Sequence, residues 1–322
     1  MQSNTDQAFS RTDSWAVTHP VSASDKSAVT EMRKISEPSK GKLRGINARV
    51  PFDAIIGRVA APEGVSFRQD TVGGVSGWWC EPSNARLHAV ILHAHGGWFN
   101  WGSALAYRHL VGHIAKSANT NAFVPDYRLA PEHPFPAALN DIEACYSGLV
   151  DRGGKSIALT GDSVGGNLIL SALARIVAKP NVKNQVIAMV ALSPVTDLAM
   201  TGKSWQSRAN ADPYFVRDQA KELIQSYLTG HTATDPAASP LYGNFKGLPP
   251  IRVQVGEDEV LFDDSWRYIE RAVAVGVDAK IDIWEGMPHG FLIGVGRLDA
   301  ASEALDAIGS FLSKQFSTSP PV

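Results

Sequence analysis

From residue 89 onward the chain alternates between two kinds of apolar segment. Short, nearly unbroken apolar runs occur at AVILHAH (89–95), NAFVPDY (121–127), SIALTG (156–161), VIAMVALSP (186–194), IRVQVGE (251–257) and AKIDIWEG (279–286). They have the length and continuity of strands covered on both faces. Between them, Ala104 to Ser117, Ala137 to Asp151, Val164 to Ala178, Asp263 to Val275 and Asp299 to Leu312 have the length of helices. Strand followed by helix, repeated, predicts an α/β protein with a mostly parallel sheet and helices on both faces. Upstream, SFRQDTV and GVSGWWCEP flank Gly73-Gly74 and read as a hairpin. With it the sheet has eight strands, one edge of them antiparallel.

Two segments break the alternation. Residues 197–247 supply a helix in DPYFVRDQAKELIQSYLTG but no strand, as an insertion over the carboxyl edge of the sheet would. Residues 1 to about 30 are polar and rich in Ser, Thr and Asp, which predicts loose order until they pack on something else. A first helix is expected near SDKSAVTEMRKIS, with Ser24 as its cap and Val29, Met32 and Ile35 at helical spacing.

Composition narrows the class of partner. Thirty basic against thirty-two acidic side chains leave a formal charge of -2, too little field to hold a nucleic acid or an anionic bilayer. Cys80 and Cys145 stand far apart with no metal-ligand spacing and read as two buried thiols. The N-terminal stretch lacks the basic and apolar regions of an export signal, and no run is long enough for a membrane anchor, so a cytoplasmic location is expected.

The candidate chemistry centres on Gly161-Asp162-Ser163-Val164-Gly165, a G-x-S-x-G pattern between the strand-like SIALTG and the helix-like NLILSALARIVA. A nucleophile elbow needs that context, with small residues where the backbone turns sharply. The competing role is a serine capping a buried helix. A serine hydroxyl needs a base to take its proton and an acid to orient that base, and in this fold they follow in the order Ser, acid, His. Of nine histidines, His289 alone lies in a turn-rich loop directly after a downstream strand. His113 and His231 read as surface or packing residues, and His88 and His93 as core residues. For the acid, Asp258 and Glu259 lie nearest the tip of IRVQVGE, while Asp263 and Asp264 begin the next helix, where acids suit the dipole.

Four ordered blocks, HAHGGWFNWGS, PDYRLAPEHPFPAAL, GDSVGGNL and VGEDEVLFDDS followed by MPHGF, make the chain from about residue 88 to 293 resemble the hormone-sensitive lipase branch of the α/β-hydrolases. That resemblance implies an α/β-hydrolase fold with a helical cap, built from residues 1–60 and the insertion 197–247, on a catalytic domain of residues 61–196 and 248–322. It implies a serine esterase acting on short- to medium-chain acyl esters, with Ser163 as nucleophile and His289 as base. In register with the family pattern Asp-Pro-Leu-x-Asp, the acid falls on Glu259, with Asp258 as the alternative. The block His95-Gly96-Gly97-Trp98 resembles the family's His-Gly-Gly-Gly and implies oxyanion donors at the amides of Gly97 and Trp98, joined by Val164 after the nucleophile.

Trp98, Trp101, Tyr214 and Phe215 are candidate pocket walls, with packing of cap on core as the competing role. Asp162 and Asp126-Tyr127-Arg128 read as scaffolding. The expected partner is a small-molecule ester, with no metal or cofactor; the AKIDIWEG strand, taken as a sheet edge, and the final helix are candidate surfaces for a homodimer. Two other functions share this pattern. One is a hydrolase-like receptor that closes on a ligand without catalysis, and the other is amide or lactone hydrolysis on the same three side chains.

Overall fold

The computed structural model describes residues 13–179 and 185–318. The strands are β1 (Ala16–His19), β2 (Val65–Val72), β3 (Val75–Pro82), β4 (Ala89–Ala94), β5 (Asn121–Pro125), β6 (Ser156–Asp162), β7 (Val186–Leu192), β8 (Ile251–Gly256) and β9 (Ala279–Trp284). The helices are α1 (Ala23–Ser36), α2 (Arg49–Ile56), α3 (Ala104–Ala118), α4 (Ala137–Asp151), α5 (Val164–Ala178), α6 (Ser204–Ser207), α7 (Arg217–Leu228), α8 (Phe262–Ala274) and α9 (Asp299–Thr318).

The strands form one sheet in the order β1-β9-β8-β7-β6-β4-β5-β3-β2, antiparallel only where β3 meets β2 and β5. Successive side chains point to opposite faces, so each apolar run feeds two cores. Val90, Leu92, Ile157, Leu159, Val253 and Val255 pack beneath α4, α5 and α8, while Ile91, Ala122, Ala158 and Val190 pack against α3 and α9. Cys80 and Cys145 are free and buried in these cores. Because β9, β8, β7 and β6 are parallel neighbours, the loops that follow them share one rim, and this brings distant parts of the sequence together.

Among the described residues the sheet has nine strands, not the expected eight. The extra strand, β1, comes from the segment expected to be loosely ordered, whose residues 1–12 lie outside the described residues. Four residues carry too little periodicity to announce a strand; β1 forms because β9 offers its edge. His19 Nε2 lies 2.8 Å from Asp282 Oδ1, and its ring stacks on Trp284 with centroids 4.0 Å apart. Asp282 accepts from Gln254, which accepts from the Trp284 indole. AKIDIWEG is therefore an inner strand, and β1 covers the edge that was expected to face a second copy.

Two smaller expectations also change. Ser22, not Ser24, caps α1 by accepting the Asp25 N–H, while Ser24 donates to Asp299 at 2.6 Å. His93 is buried as expected, but His88 is exposed and precedes its strand with φ 57°. Among the described residues no helix is long and apolar enough to cross a membrane.

The N-terminal segment fastens both to the end of the chain and to the insertion. Asp25, fully buried, accepts the first-turn amides of α9 from Asp299 (2.8 Å) and Ala300 (2.9 Å). Further along, Gly41 N–H donates to the Tyr214 carbonyl at 3.0 Å, and Gln219 Nε2 to the Leu43 carbonyl at 2.7 Å. Replacing Asp25 with alanine strands two helix-end donors away from water. We expect Asp25→Ala to lower the unfolding free energy by about 1–3 kcal/mol in urea titration.

Candidate active site

Ser163 joins β6 to α5 with φ 56° and ψ -119°, outside the regions that non-glycine residues favour. A backbone so placed costs about 1–3 kcal/mol and persists only where its surroundings hold it. Here the Ser163 N–H donates to the Leu192 carbonyl at 2.8 Å, and the Ser163 carbonyl accepts from Val195 (3.1 Å) and Asn167 (3.2 Å). A Cβ on Gly165 would lie 2.0 Å from the Ala94 carbonyl oxygen, and one on Gly161 2.5 Å from that of Gly165, so neither position accepts a larger residue. The hydroxyl makes no cap bond to α5. The helix-capping role weighed for this serine is therefore not the one its side chain performs.

His289 follows β9, and its Nδ1 lies 2.7 Å from Glu259 Oε2 in the loop after β8. A carboxylate facing Nδ1 fixes the proton there and leaves Nε2 as the free acceptor of the neutral ring. Glu259 is completely buried, and its Oε1 accepts from Ser193 Oγ (2.8 Å) and the Gly256 N–H (2.7 Å). Asp258 turns the other way and pairs with Arg33 at 2.7 Å, half-exposed. Burial disfavours the imidazolium of His289, but the charge and hydrogen bond of Glu259, with the charges of Asp162 and Asp212, outweigh it and raise the pKa above the ordinary value.

The 95–102 loop lies against this turn. Gly97 (φ 120°), Trp98 (φ 53°) and Phe99 (φ 60°) run consecutively through positive φ, so the indole of Trp98 does not keep its backbone out of the left-handed region. Gly97 is required as glycine, since a Cβ would fall 2.2 Å from the Trp101 carbonyl oxygen. Asn100 Nδ2 donates to the Trp98 carbonyl at 2.6 Å and fixes the bend. Among the described residues no acceptor takes the N–H of Gly97 or Trp98, and Val164, as first residue of α5, has no intrahelical partner. Behind the loop, His95 donates from Nδ1 to the Gly96 carbonyl at 2.8 Å and stacks on Tyr127 at 4.2 Å; burial pushes its pKa down to about 4. Tyr107 donates to Asp162 at 2.9 Å, a scaffold contact beside Ser163.

The aromatic candidates divide. Phe215 meets the His289 ring at 4.9 Å and the Trp98 indole edge-on at 5.2 Å. Trp101 instead donates to the Gly45 carbonyl and tilts against Phe52, and the Tyr214 hydroxyl contacts Met32 Sδ at 3.2 Å. Those two pack the N-terminal segment onto its neighbours. Three residues at the site were passed over in the sequence. Ser193 holds Glu259, Trp205 lies beside Trp98 at 6.4 Å, and Asp212 accepts the N–H of Val260 at 3.0 Å. Ser193 follows a strand that ends beside the elbow, and Asp212 begins an Asp-Pro turn; both are weak signals on their own.

Comparisons with known proteins identify the fold and the family. Residues 91–293 match the family model described as the alpha/beta hydrolase fold. An esterase of Acinetobacter venetianus is 34% identical over 77% of this chain and 82% of its own. An acetyl-hydrolase of Streptomyces hygroscopicus is 32% identical over 75% of this chain and 81% of its own. The crystal structure of an esterase from the bacterial hormone-sensitive lipase family superimposes with TM-score 0.83 at 34% identity, covering 91% of this chain and 98% of that one. The chain belongs to the α/β-hydrolase fold family, in its hormone-sensitive lipase branch, and is a carboxylic ester hydrolase.

The electrostatics of the imidazole are open to direct measurement. In an NMR titration of His289, we expect a pKa above the model-peptide value of about 6.5, moving down in Glu259→Gln and unmoved in Asp258→Asn.

Proposed function

We propose that this esterase cleaves short- to medium-chain acyl esters through an acyl-enzyme on Ser163. His289 takes the hydroxyl proton at Nε2 as the serine oxygen attacks the acyl carbon, and Glu259 steadies the imidazolium that forms. The amides of Gly97, Trp98 and Val164 receive the oxyanion, each worth on the order of 10²–10³ in rate. His289 then protonates the departing alkoxide, leaving the acyl-enzyme; water next attacks the acyl carbon as His289 takes its proton, and that proton passes to the Ser163 oxygen as the acyl–serine bond breaks and the acid leaves. The observation that carries this reading is the 2.7 Å Glu259–His289 contact on the rim that also carries the strained Ser163 turn.

Of the N-terminal segment expected as cap, residues 1–60, β1 belongs to the sheet instead; the part that follows it, to residue 60, and residues 197–247 act in this proposal as a cap over the carboxyl ends of the strands. The bonds from Gly41 to Tyr214 and from Gln219 to Leu43, which tie the two segments together, support it. Trp98, Trp205 and Phe215 together wall the acyl side, and their bulk favours short chains. The Streptomyces relative, an acetyl-hydrolase, is in keeping with that end of the range.

Ser163→Ala is expected to abolish hydrolysis of p-nitrophenyl butyrate and labelling by a fluorophosphonate; undiminished turnover would refute the nucleophile. Absence of any adduct in the unmodified protein would instead favour the receptor-like reading. Across p-nitrophenyl esters from acetate to palmitate, kcat/KM should peak at or below the octanoate and fall beyond it. A maximum at palmitate would overturn the assigned wall.

A further inference from the structure

Asp212 lies in the insertion, in the turn before α7, and its side chain is completely buried. Its Oδ1 accepts the N–H groups of Tyr214 (2.8 Å) and Phe215 (3.0 Å), and its Oδ2 accepts that of Val260 (3.0 Å). The first two bonds are what any Asp-headed turn makes within itself. The third has no such local purpose. It leaves the insertion and ends on the residue that follows Glu259, in the loop that presents the carboxylate to His289.

The aromatic ring set by the same turn points in the same direction. Phe215, whose amide Asp212 holds, rests its ring on the imidazole of His289 at 4.9 Å. Outside the turn, Lys40 Nζ donates to the carbonyls of Ala209 and Asp212, Arg33 to that of Ala211, and Arg208 to that of Glu257. A buried carboxylate is costly unless donors surround it. Three amides do so here, and they span two segments separated by the whole of α7 and β8.

We propose that Asp212 is a positioning residue for the Glu259–His289 pair, clamping the acid loop at Val260 and seating Phe215 against the imidazole so that the base is aligned only while the insertion is docked. The inference rests on the esterase reading above, in which His289 is the base. A turn needed for folding alone would be satisfied by the two local bonds, which an asparagine also makes. The clamp needs an acceptor at both oxygens.

The imidazole is faced by Glu259 from the loop after β8, by Asp162 from the end of β6 and by Asp212 from the insertion. Arg208 and Arg33 bind the outer side of the acid loop, through the Glu257 carbonyl and the Asp258 carboxylate. Removing the Asp212 charge therefore takes away one of three groups that favour the imidazolium. The acidic limb of kcat/KM, which reports the base, should then move to lower pH.

Asp212→Asn is the direct test. With p-nitrophenyl butyrate we expect kcat to fall on the order of 10- to 100-fold with KM changed far less, as misplacement of a reacting group predicts. The acidic limb should shift downward in the same variant. A lower melting temperature with kcat and the limb both unmoved would reduce Asp212 to a folding residue and overturn the proposal. If Asp212→Asn does not accumulate as folded protein, Lys40→Met decides, since it releases the Ala209 and Asp212 carbonyls, and with them the docked turn, without altering the carboxylate. A loss of about threefold or more in kcat is expected there, and an unchanged kcat overturns the clamp. Ser163→Ala, run in parallel, separates the two levels: turnover surviving in that variant sinks the esterase reading itself, whereas loss confined to it sinks only the role of Asp212.

Discussion

The rim of this molecule depends on how closely three stretches of backbone are allowed to approach. The end of β4, the turn at Ser163 and the first residues of α5 meet at distances that leave no room for a side chain, with Ala94 and His95 carbonyl oxygens 2.0 and 2.5 Å from where a Gly165 Cβ would stand. Gly166 is pressed in the same way against Pro194 after β7. Because the glycines yield this space, the 95–102 loop and the start of α5 lie side by side. The strain at Ser163 is then held by bonds to Leu192 and Val195, which belong to the neighbouring strand and its loop rather than to the turn itself.

A second effect decides the behaviour of the imidazole. Three histidines in this protein are deeply enclosed, and two of them, His93 and His95, are driven down to about 3 and about 4 by burial. His289 is enclosed as well, yet its pKa moves the other way. The difference is the company it keeps. Glu259 lies in direct contact, itself fixed by Ser193 and Gly256, and Asp162 and Asp212 add charge from further out. Burial without an anion silences a histidine; burial against a fixed carboxylate keeps it able to accept a proton near neutral pH.

Much of this was legible along the chain. Buried parallel strands advertise themselves as continuous apolar runs, and the bounds of α4 and α5 follow from their sequences without adjustment. The elbow and the loop carrying His289 were legible because turn chemistry and strand order both constrain them. Glu259 and Asp258 were separable only by register against a family pattern, since adjacent acids after a strand look alike; in space one meets His289 and the other Arg33. What the sequence conceals depends on distant partners. β1 has no pattern of its own, Ser193 is one serine among many, and Trp101 differs from Trp98 only in what lies across from it. Asp212 resembles the head of an ordinary turn until Val260 is brought beside it.

The pairing of β1 with β9 bears on the order in which the molecule can be assembled. His19 and Asp282 are 263 positions apart, so the first of the described strands has no neighbour until the last of them has been made. Closing so long a loop is slow compared with forming helices and near-neighbour strands. During synthesis β1 therefore waits unpaired while the strands between it and β9 are made, and its docking belongs to the late stages of assembly rather than the beginning.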